Sequence, residues 1–423
     1  MKTGVQRTSG YRKRLDSGFR RNDGKTNIWT SYEFIKFRII FFLCALSVLC
    51  GKCFGIGGIM GFRPCGVYHQ YYRQDHAWWQ TKFVWGKMIF LFAAVFYLIP
   101  QFAGLYLISV ANVIGYTILS AMGVQLLIGY CGQVTLGHAA FLAVGAYTST
   151  LLMLQLHLPY LLTLVLGGIT GGLWCVLFGL PSARVKGFYL IMTTMAAQFI
   201  TFEFFITQYV SQIGGRGVAF SIPPGTVTIG PWVIQSDMDV YYLMVILVVS
   251  CTLIMANLLR SRIGRAWIAV RDNDIAAETL GVNIVLYKLL AFFVAGFFGG
   301  IAGAFWVSSL AAVSPEHFQF GWSLWLVGVV LIGGVGSIHG IFLGAMFMTL
   351  IPEGLKALIF ILTQNPFFVD LMPFLPHLLE KFLFVKEAAF GLAIALFLIF
   401  EPNGLSYRWW QVKNYFNLWP FSY

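Results

Sequence analysis

The longest uncharged segment of the chain constrains its fold more than any other feature. Residues 88–183 form a run of 96 positions without Asp, Glu, Lys or Arg. A helix needs roughly 20 apolar residues to cross the hydrocarbon core of a bilayer, so this segment alone has room for about four crossings. Only 10% of all residues are charged, whereas soluble domains have about 25%. The sequence therefore predicts an all-α polytopic membrane protein.

The apolar runs predict about ten transmembrane helices, with glycine-rich interruptions between some of them. The predicted spans cover residues 88–107, 109–128, 139–157, 160–181, 188–208, 240–259, 288–311, 322–335, 341–361 and 388–400. If the chain before the first span lies in the cytoplasm, the basic loop at 260–288 and the basic C-terminal tail lie there too. This parity agrees with the excess of Lys and Arg found in cytoplasmic loops.

The predicted spans divide the chain into three parts. Residues 1–86 form a basic and aromatic N-terminal extension, residues 87–405 the transmembrane domain, and residues 406–423 a C-terminal tail. The net charge is +12, but the first 38 residues contribute +7 of it. Basic tails attract anionic lipid or nucleic acid. Because no nucleic-acid-binding fold accompanies the basic N-terminal residues, we predict no nucleic-acid partner.

Four of the seven cysteines lie in the N-terminal extension. Cys50, Cys53 and Cys65, with His69, have the residue types of a zinc site. Cysteine is also a common small apolar residue next to membranes, and we favour this interpretation. We therefore predict no metal.

One charged loop separates two long apolar runs. Residues 260–288 carry five Lys or Arg and three Asp or Glu, between uncharged runs at 241–259 and 289–315. The positive charge predicts that the loop remains in the cytoplasm. Its position suggests an element that contacts another protein.

Helix-capping signals predict short helices in this loop. Ser261 can cap a first turn, and Asp274 can cap a helix over residues 275–280. Gly281 can end that helix in the left-handed conformation. Asp272, Asp274 and Glu278 could also be an acid–base set, but no nucleophile or metal ligand stands near them in the sequence. A solvated helix that fits another protein is the better interpretation.

Two glycine-rich segments interrupt the apolar runs. GYCGQVTLGH (129–138) has three glycines in ten residues, and GGVGSIHG (333–340) has four in eight. Glycine weakens helices, and a broken backbone at membrane depth is tolerated only where it is buried in protein or lines a cavity. Each segment is therefore either part of a transport path or a tightly packed turn between helices.

Five sequence blocks together resemble the permease subunits of branched-chain amino acid ABC importers, the LivM-like family. They are GYCGQVTLGHAAFLAVGAYTS (129–149), FYLIMTTMA (188–196), SRIGRAWIAVRDNDIAAETLGVNIVLYKLLAFF (261–293), LIGGVGSIHGI (331–341) and FEPNGL (400–405). The resemblance implies a type II-like ABC importer permease that carries leucine, isoleucine or valine. It implies no catalytic residue and no cofactor in this chain, since ATP binds to separate subunits.

The same resemblance implies the partners and the functional residues. In a bacterial inner membrane the chain would join a second related permease subunit, two cytoplasmic ATP-binding subunits and a periplasmic solute-binding protein, surrounded by membrane lipid. The loop at 260–288 would couple the permease to the ATPases, through Arg265, Arg271, Asp274, Glu278 and Gly281. The glycine-rich segments would line the translocation path, with Gly129, Gly132, Gln133, Thr135, His138, Gly333, Gly336 and Ser337.

Other functions remain open on the sequence alone. Urea or a short-chain amide is an alternative cargo in the same family. A secondary transporter driven by an ion gradient usually has ionisable residues inside its spans, and Glu203 is nearly the only carboxylate expected there. A membrane enzyme would need paired catalytic groups at one depth, which the sequence does not offer. Residues 18–26 resemble a phosphate-binding loop but have five residues between the two glycines, where the motif has four.

Overall fold

The computed structural model describes residues 94–102, 104–182, 187–210, 219–223, 227–229, 232–234, 236–364 and 382–418. The predicted N-terminal extension and its cysteines lie outside these residues. The division into an extension, a transmembrane domain and a tail therefore stays a prediction.

Helices make up most of the described chain. In chain order they are α1 Leu105–Gln125, α2 His138–Gln155, α3 Tyr160–Ser182, α4 Phe188–Ile200, α5 Asp237–Arg260, α6 Arg262–Asp272, α7 Asp274–Thr279, α8 Ile284–Leu310, α9 Phe320–Gly333, α10 Ile338–Gln364, α11 Phe382–Phe400 and α12 Gly404–Leu418. Short helical turns precede α1 at Ala94–Leu98 and Ile99–Phe102. Wider π-helical turns extend α1 through Leu126–Tyr130 and α4 through Thr201–Val210.

Six of the described helices are long and apolar enough to cross a membrane. They are Leu105–Tyr130, Tyr160–Pro181, Phe188–Thr207, Asp237–Arg260, Ile284–Leu310 and Ile338–Ile359. Each coincides with a span predicted from the sequence, which confirms a polytopic helical membrane protein. The count of about ten is not confirmed. α9 has only 14 residues, α2 and α11 do not meet the same criteria, and the predicted span at 88–107 lies partly outside the described residues.

Glycines let the central helices α2, α3 and α8 pack in backbone contact. A Cβ atom added at Gly303 of α8 would lie 2.0 Å from the Leu142 carbonyl oxygen of α2, and one at Gly300 would lie 2.3 Å from the Gly167 carbonyl oxygen of α3. Such small-residue faces are typical of helix packing inside membranes. The three helices form the centre of the described structure; α1, α5 and α9 pack against it, and α10 packs on α1 and α9.

Short strands close the opposite side from the charged loop. β1 Phe220–Ser221 pairs antiparallel with β4 Ala312–Val313, and β2 Thr228–Ile229 pairs with β3 Trp232–Val233. The first pair ties the segment before α5 to the turn after α8. A 3-10 turn at Pro315–Phe318 then leads into α9.

Replacing Gly303 by Ala tests the backbone packing of α2 against α8. The added methyl group has no space, so we expect a loss of about 1–3 kcal/mol in the free energy of unfolding. Gly354→Ala in α10 is the matched control, since no atom lies within 4 Å of its added Cβ and alanine favours a helix. The thermal unfolding temperature of the purified chain should decrease for Gly303→Ala and should stay the same or increase for Gly354→Ala. An equal change in unfolding temperature in both variants would contradict the backbone packing of α2 against α8.

Candidate functional site

The charged loop is fixed to the membrane helices by a buried tryptophan. Ser261 caps α6 by accepting a hydrogen bond from the Ile263 amide, as predicted. Trp267 in α6 is fully buried, and its Nε1 donates to the Tyr287 carbonyl at the start of α8 over 2.8 Å. Because this bond joins two helices twenty residues apart in sequence, α6 is positioned as a rigid part of the fold rather than as a free loop.

Arg271, near the end of α6, connects the charged loop to the first glycine-rich segment. Its Nη1 donates to the Gly129 carbonyl over 2.7 Å, and its Nη2 pairs with Asp272 at 3.0 Å. Gly132 has a φ of +70°, and a Cβ added there would lie 2.9 Å from Arg271 Cγ. The guanidinium therefore supplies the hydrogen-bond donor for a carbonyl at the end of α1, where no helical turn continues.

The second glycine-rich segment packs directly on the first. A Cβ added at Gly129 would lie 2.6 Å from the Gly336 nitrogen, and one at Gly336 would lie 3.3 Å from Arg271 Nη1. Gly336 has a φ of +81°, a conformation that side-chain-bearing residues rarely adopt. Gly129, Gly132, Gly336 and Arg271 thus form one contact region, which we call the Arg271 junction.

Gln125 joins the two segments from within α1. Its Nε2 donates to the carbonyls of Gly334 at 3.2 Å and Ser337 at 3.1 Å. The side chain is fully buried. One amide group therefore satisfies two carbonyls of the second interruption.

The C-terminal helix also reaches this region. The hydroxyls of Ser337 and Ser406 share a hydrogen bond of 2.6 Å, and a Cβ added at Gly404 would lie 2.6 Å from Gly334 Cα. A Cβ added at Gly333 would lie 2.1 Å from the Gly340 carbonyl oxygen. The block FEPNGL therefore packs on the block LIGGVGSIHG.

Residues 131–137 have no regular helix or strand, although helices surround them. The Leu136 amide donates to Thr194 Oγ1 at 3.2 Å. At the start of α2, the Ala139 amide donates to Ser323 Oγ at 2.9 Å and the Ala140 amide to Gln198 Oε1 at 2.7 Å. Side chains of α4 and α9 thus satisfy the amides that the break leaves open, as an interior without water requires.

The polar residues of the first interruption are buried between helices. His138 is fully buried, and its ring packs against the positions of Gly123 in α1 and Gly299 in α8. Neither of its ring nitrogens completes a hydrogen bond of good geometry with a described residue. Gln133 Nε2 reaches only the Cys131 carbonyl, at 3.4 Å, and Thr135 Oγ1 accepts from the Gly137 amide. Within the described residues, no group of three or more His, Cys, Asp or Glu could hold a metal ion.

The outer face of the charged loop carries the other predicted contact residues. Arg265, Glu278 and Gly281 are exposed, and Asp274 is half-buried. Gly281 has a φ of +85° and follows α7, as predicted. Asn273 caps α7 instead of the predicted Asp274, since its side chain accepts from the Ala276 amide. Both residue types are good caps, so the sequence did not distinguish between the two positions.

Two apolar residues of α7 were missed by the sequence analysis. Ile275 is 70% exposed and Leu280, just after the helix, is 82% exposed. Gln125 was missed too, although a glutamine inside an uncharged span is itself a signal. Gln198 carried the same signal, as a glutamine inside the predicted span at 188–208, and was also missed. Ser323 carried no such signal, because its role depends on a contact 184 residues away.

The family comparison covers the whole of this contact region except the C-terminal helix. Residues 106–384 match the family model described as the permease component of the branched-chain amino acid transport system. That is well over half of the chain. The chain belongs to this permease family.

Individual members of the permease family are similar at moderate identity. The high-affinity branched-chain amino acid transport system permease protein LivM of Salmonella typhimurium is 30% identical over 267 residues, which are 58% of this chain and 63% of the relative. LivM of Escherichia coli is 29% identical over the same shares. A probable LivM of Methanocaldococcus jannaschii is 24% identical over 250 residues, 58% of this chain and 67% of the relative. The chain thus spans a little under two thirds of the first two relatives, and no solved structure matches it.

Replacing Gln125 by Met tests the link between the two interruptions. The buried Gly334 carbonyl would lose its donor, which costs about 1–3 kcal/mol, while the part-buried Ser337 carbonyl would keep only the Gly340 amide. We expect a clear decrease in the thermal unfolding temperature of the purified chain. Gln133→Met is the matched control, because that buried amide makes only a long bond within its own turn. A similar decrease in both variants would contradict a special role for Gln125.

Proposed function

We propose that this chain is a permease subunit of an ATP-driven importer for leucine, isoleucine or valine, and that it forms the translocation path by alternating access. Its membership of the permease family and the names of its relatives support this cargo. The observation that carries the mechanism is the hydrogen bond from Arg271 to the Gly129 carbonyl. It joins the charged loop to both interruptions of the membrane helices.

The geometry of the loop suits the transmission of movement. Trp267 holds α6 on α8, so a force on α7 from the cytoplasm is transferred to α6 as a unit. Arg271 then transfers it to Gly129, and Gln125 connects the same end of α1 to Gly334 and Ser337. In this proposal, ATP bound and hydrolysed on partner subunits moves the two interruptions together.

The exposed face of α7 is the proposed contact for those subunits. Ile275 and Leu280 are large apolar side chains exposed in a charged loop, next to the exposed carboxylate of Glu278. Apolar anchors surrounded by polar groups are typical of protein interfaces. Arg265 is exposed on the neighbouring helix. Arg271, by contrast, is 38% exposed and already bonded on its inner side, so its main role in this proposal is internal.

The rest of the assembly follows from the family. We propose two cytoplasmic ATP-binding subunits, a second related permease, a periplasmic solute-binding protein and surrounding lipid, in a bacterial inner membrane. We also propose that the shorter helices α2, α9 and α11 cross the bilayer together with their neighbours. With the six longer helices and the predicted span at 88–107 they give ten spans in total. The short strands β1 to β4 would then face the solute-binding protein.

An ion-coupled transporter is the weaker alternative. Such proteins place ionisable groups in the interior of their spans, and the carboxylate of Glu203 is exposed at the surface of this chain. Urea or a short-chain amide remains the alternative cargo within the family. Uptake measurements distinguish all three.

The function is tested by uptake of radiolabelled leucine into cells that express the chain together with the partner subunits proposed above. We expect uptake to continue when the proton gradient is collapsed while ATP is maintained, and to be inhibited by isoleucine and valine. Loss of uptake when only the proton gradient is collapsed would indicate an ion-coupled transporter. Uptake of radiolabelled urea or acetamide, without uptake of leucine, would indicate the alternative cargo.

The docking face is tested by Ile275→Asp combined with Leu280→Asp. A charge at each apolar anchor should prevent the ATP-binding subunits from co-purifying with the chain and should abolish uptake. The thermal unfolding temperature of the chain itself should not change, since both side chains are exposed. Ala276→Asp combined with Thr279→Asp is the matched control, because it adds the same two charges at other exposed positions of α7. If the variant at Ile275 and Leu280 still binds the ATPases normally, the proposed docking face is wrong.

A further inference from the structure

Four aromatic side chains form a stack between α1, α8 and α9. The Tyr116 ring lies on Trp306 with centroids 4.1 Å apart, and Trp322 stacks on Tyr116 at 5.5 Å. Trp325 follows Trp322 at 6.3 Å, with the two ring planes only 12° apart. We call these four residues the aromatic stack.

The polar atoms of the aromatic stack lack hydrogen-bond partners. The Tyr116 hydroxyl and the Nε1 atoms of Trp306, Trp322 and Trp325 are all buried, and none completes a hydrogen bond with a residue of the described ranges. Trp322 and Ser120 approach the Tyr116 hydroxyl without reaching normal hydrogen-bond geometry. Each buried donor left unpaired costs about 1–3 kcal/mol, so four in one cluster require an explanation.

Other indoles of the same chain are satisfied internally. Trp174 Nε1 donates to Thr201 Oγ1 at 2.9 Å, and Trp267 Nε1 donates to the Tyr287 carbonyl at 2.8 Å. The fold can therefore provide acceptors for its tryptophans. The missing acceptors in the aromatic stack indicate a ligand that supplies them.

The chemistry of the stack points to a carboxylate. An indole N–H can only donate, and an ionised carboxylate can only accept, at about four lone-pair positions. Two basic side chains lie at the edge of the stack: Lys386 Nζ is 5.5 Å from the Trp325 ring centre, and the His317 ring is 6.4 Å from Trp306. The stacked rings and Phe390, 5.1 Å from Trp325, offer an apolar surface for an aliphatic group.

The position of the stack connects it to the interruptions described above. Trp322 and Trp325 lie in the first turns of α9, beside Ser323, which accepts from the first turn of α2. Gly333, at the other end of α9, is eleven residues from Trp322 and adjoins the Arg271 junction. At 1.5 Å per residue the two sites are about 16 Å apart along one helix. A shift of α9 would therefore change both.

We propose that the aromatic stack binds the carboxylate of an aliphatic amino acid during transport, through the Tyr116 hydroxyl and the three indole N–H groups. This inference rests on the proposed function and names a binding site for its cargo. The four donor atoms are enclosed in the conformation described, so the rings separate when the ligand enters. The aliphatic side chain of the ligand then lies against the ring faces.

Conservative substitutions test the donors separately from the rings. Trp306→Phe, Trp322→Phe and Tyr116→Phe remove an N–H or O–H group and retain an aromatic ring. Binding of radiolabelled leucine to the purified full chain in lipid nanodiscs should weaken roughly 10- to 100-fold in each variant, the value of a hydrogen bond to a charged group. Trp174→Phe is the matched control, because its indole already has a partner, and its affinity should stay within about twofold of the wild type.

Two further measurements distinguish binding from a structural role. An unpaired donor destabilises the ligand-free protein, so the thermal unfolding temperature of the three stack variants should be unchanged or higher without leucine. Among analogues of leucine, 4-methylpentanoate, which keeps the carboxylate, should compete for binding. 3-Methylbutylamine, which lacks it, should not. Competition by the amine alone would overturn the proposal.

The outcomes separate this inference from the proposed function. If cells take up leucine but all stack variants bind it as tightly as the wild type, the stack does not bind the cargo and the proposed function stands. If cells take up no branched-chain amino acid, the proposed function fails and the stack is tested with 4-methylpentanoate alone. Binding of that carboxylate that Trp306→Phe weakens would then support the inference, and no binding would overturn it.

Discussion

A backbone group inside a membrane must have a hydrogen-bond partner within the protein, and the centre of this structure depends on that requirement. The helix from Leu105 to Tyr130 ends in a broken segment, and the Arg271 guanidinium provides the donor for the Gly129 carbonyl. Gln125 does the same for two carbonyls of the second interruption. Ser323 and Gln198 accept from the first amides of α2. The breaks are stable because side chains from distant parts of the chain replace the missing helical bonds.

The same bonds suggest how a transport cycle can use the breaks. Regular helices inside a membrane resist bending. The glycine-rich segments are held instead by a small number of side-chain hydrogen bonds, which can break and form again during a conformational change. Arg271 lies at the boundary between the water-exposed loop and these segments, since its side chain is partly exposed and pairs with Asp272 on one side and Gly129 on the other. α9 extends from this region to the aromatic stack. The charged loop and the proposed cargo site are thus linked by one short helix.

Much of the fold could be predicted from the sequence, because charge and apolar length determine where a helix can cross a bilayer. The spans at 160–181 and 240–259 differ from Tyr160–Pro181 and Asp237–Arg260 by at most a few residues. The caps at Ser261 and the left-handed Gly281 were also predicted, since they depend on local chemistry. The contact of Arg271 with Gly129 joins residues 142 positions apart, and no local pattern contains it. For the same reason Tyr116, Trp306 and Trp322 could be interpreted only as ordinary apolar residues until the structure brought them together.

We propose that Arg271 transmits movement from the loop to the interrupted helices. It is tested most directly by the number of ATP molecules hydrolysed for each leucine transported, measured on the reconstituted transporter with Arg271→Met. This change retains a long side chain and removes the donor to Gly129, while Arg262→Met, at an exposed position of the same helix, is the control. We expect that Arg271→Met retains ATP hydrolysis but lowers transport per ATP about tenfold or more, the effect of roughly 1.4 kcal/mol lost from one hydrogen bond to a charged group. An unchanged ratio in Arg271→Met, or the same decrease in Arg262→Met, would contradict it.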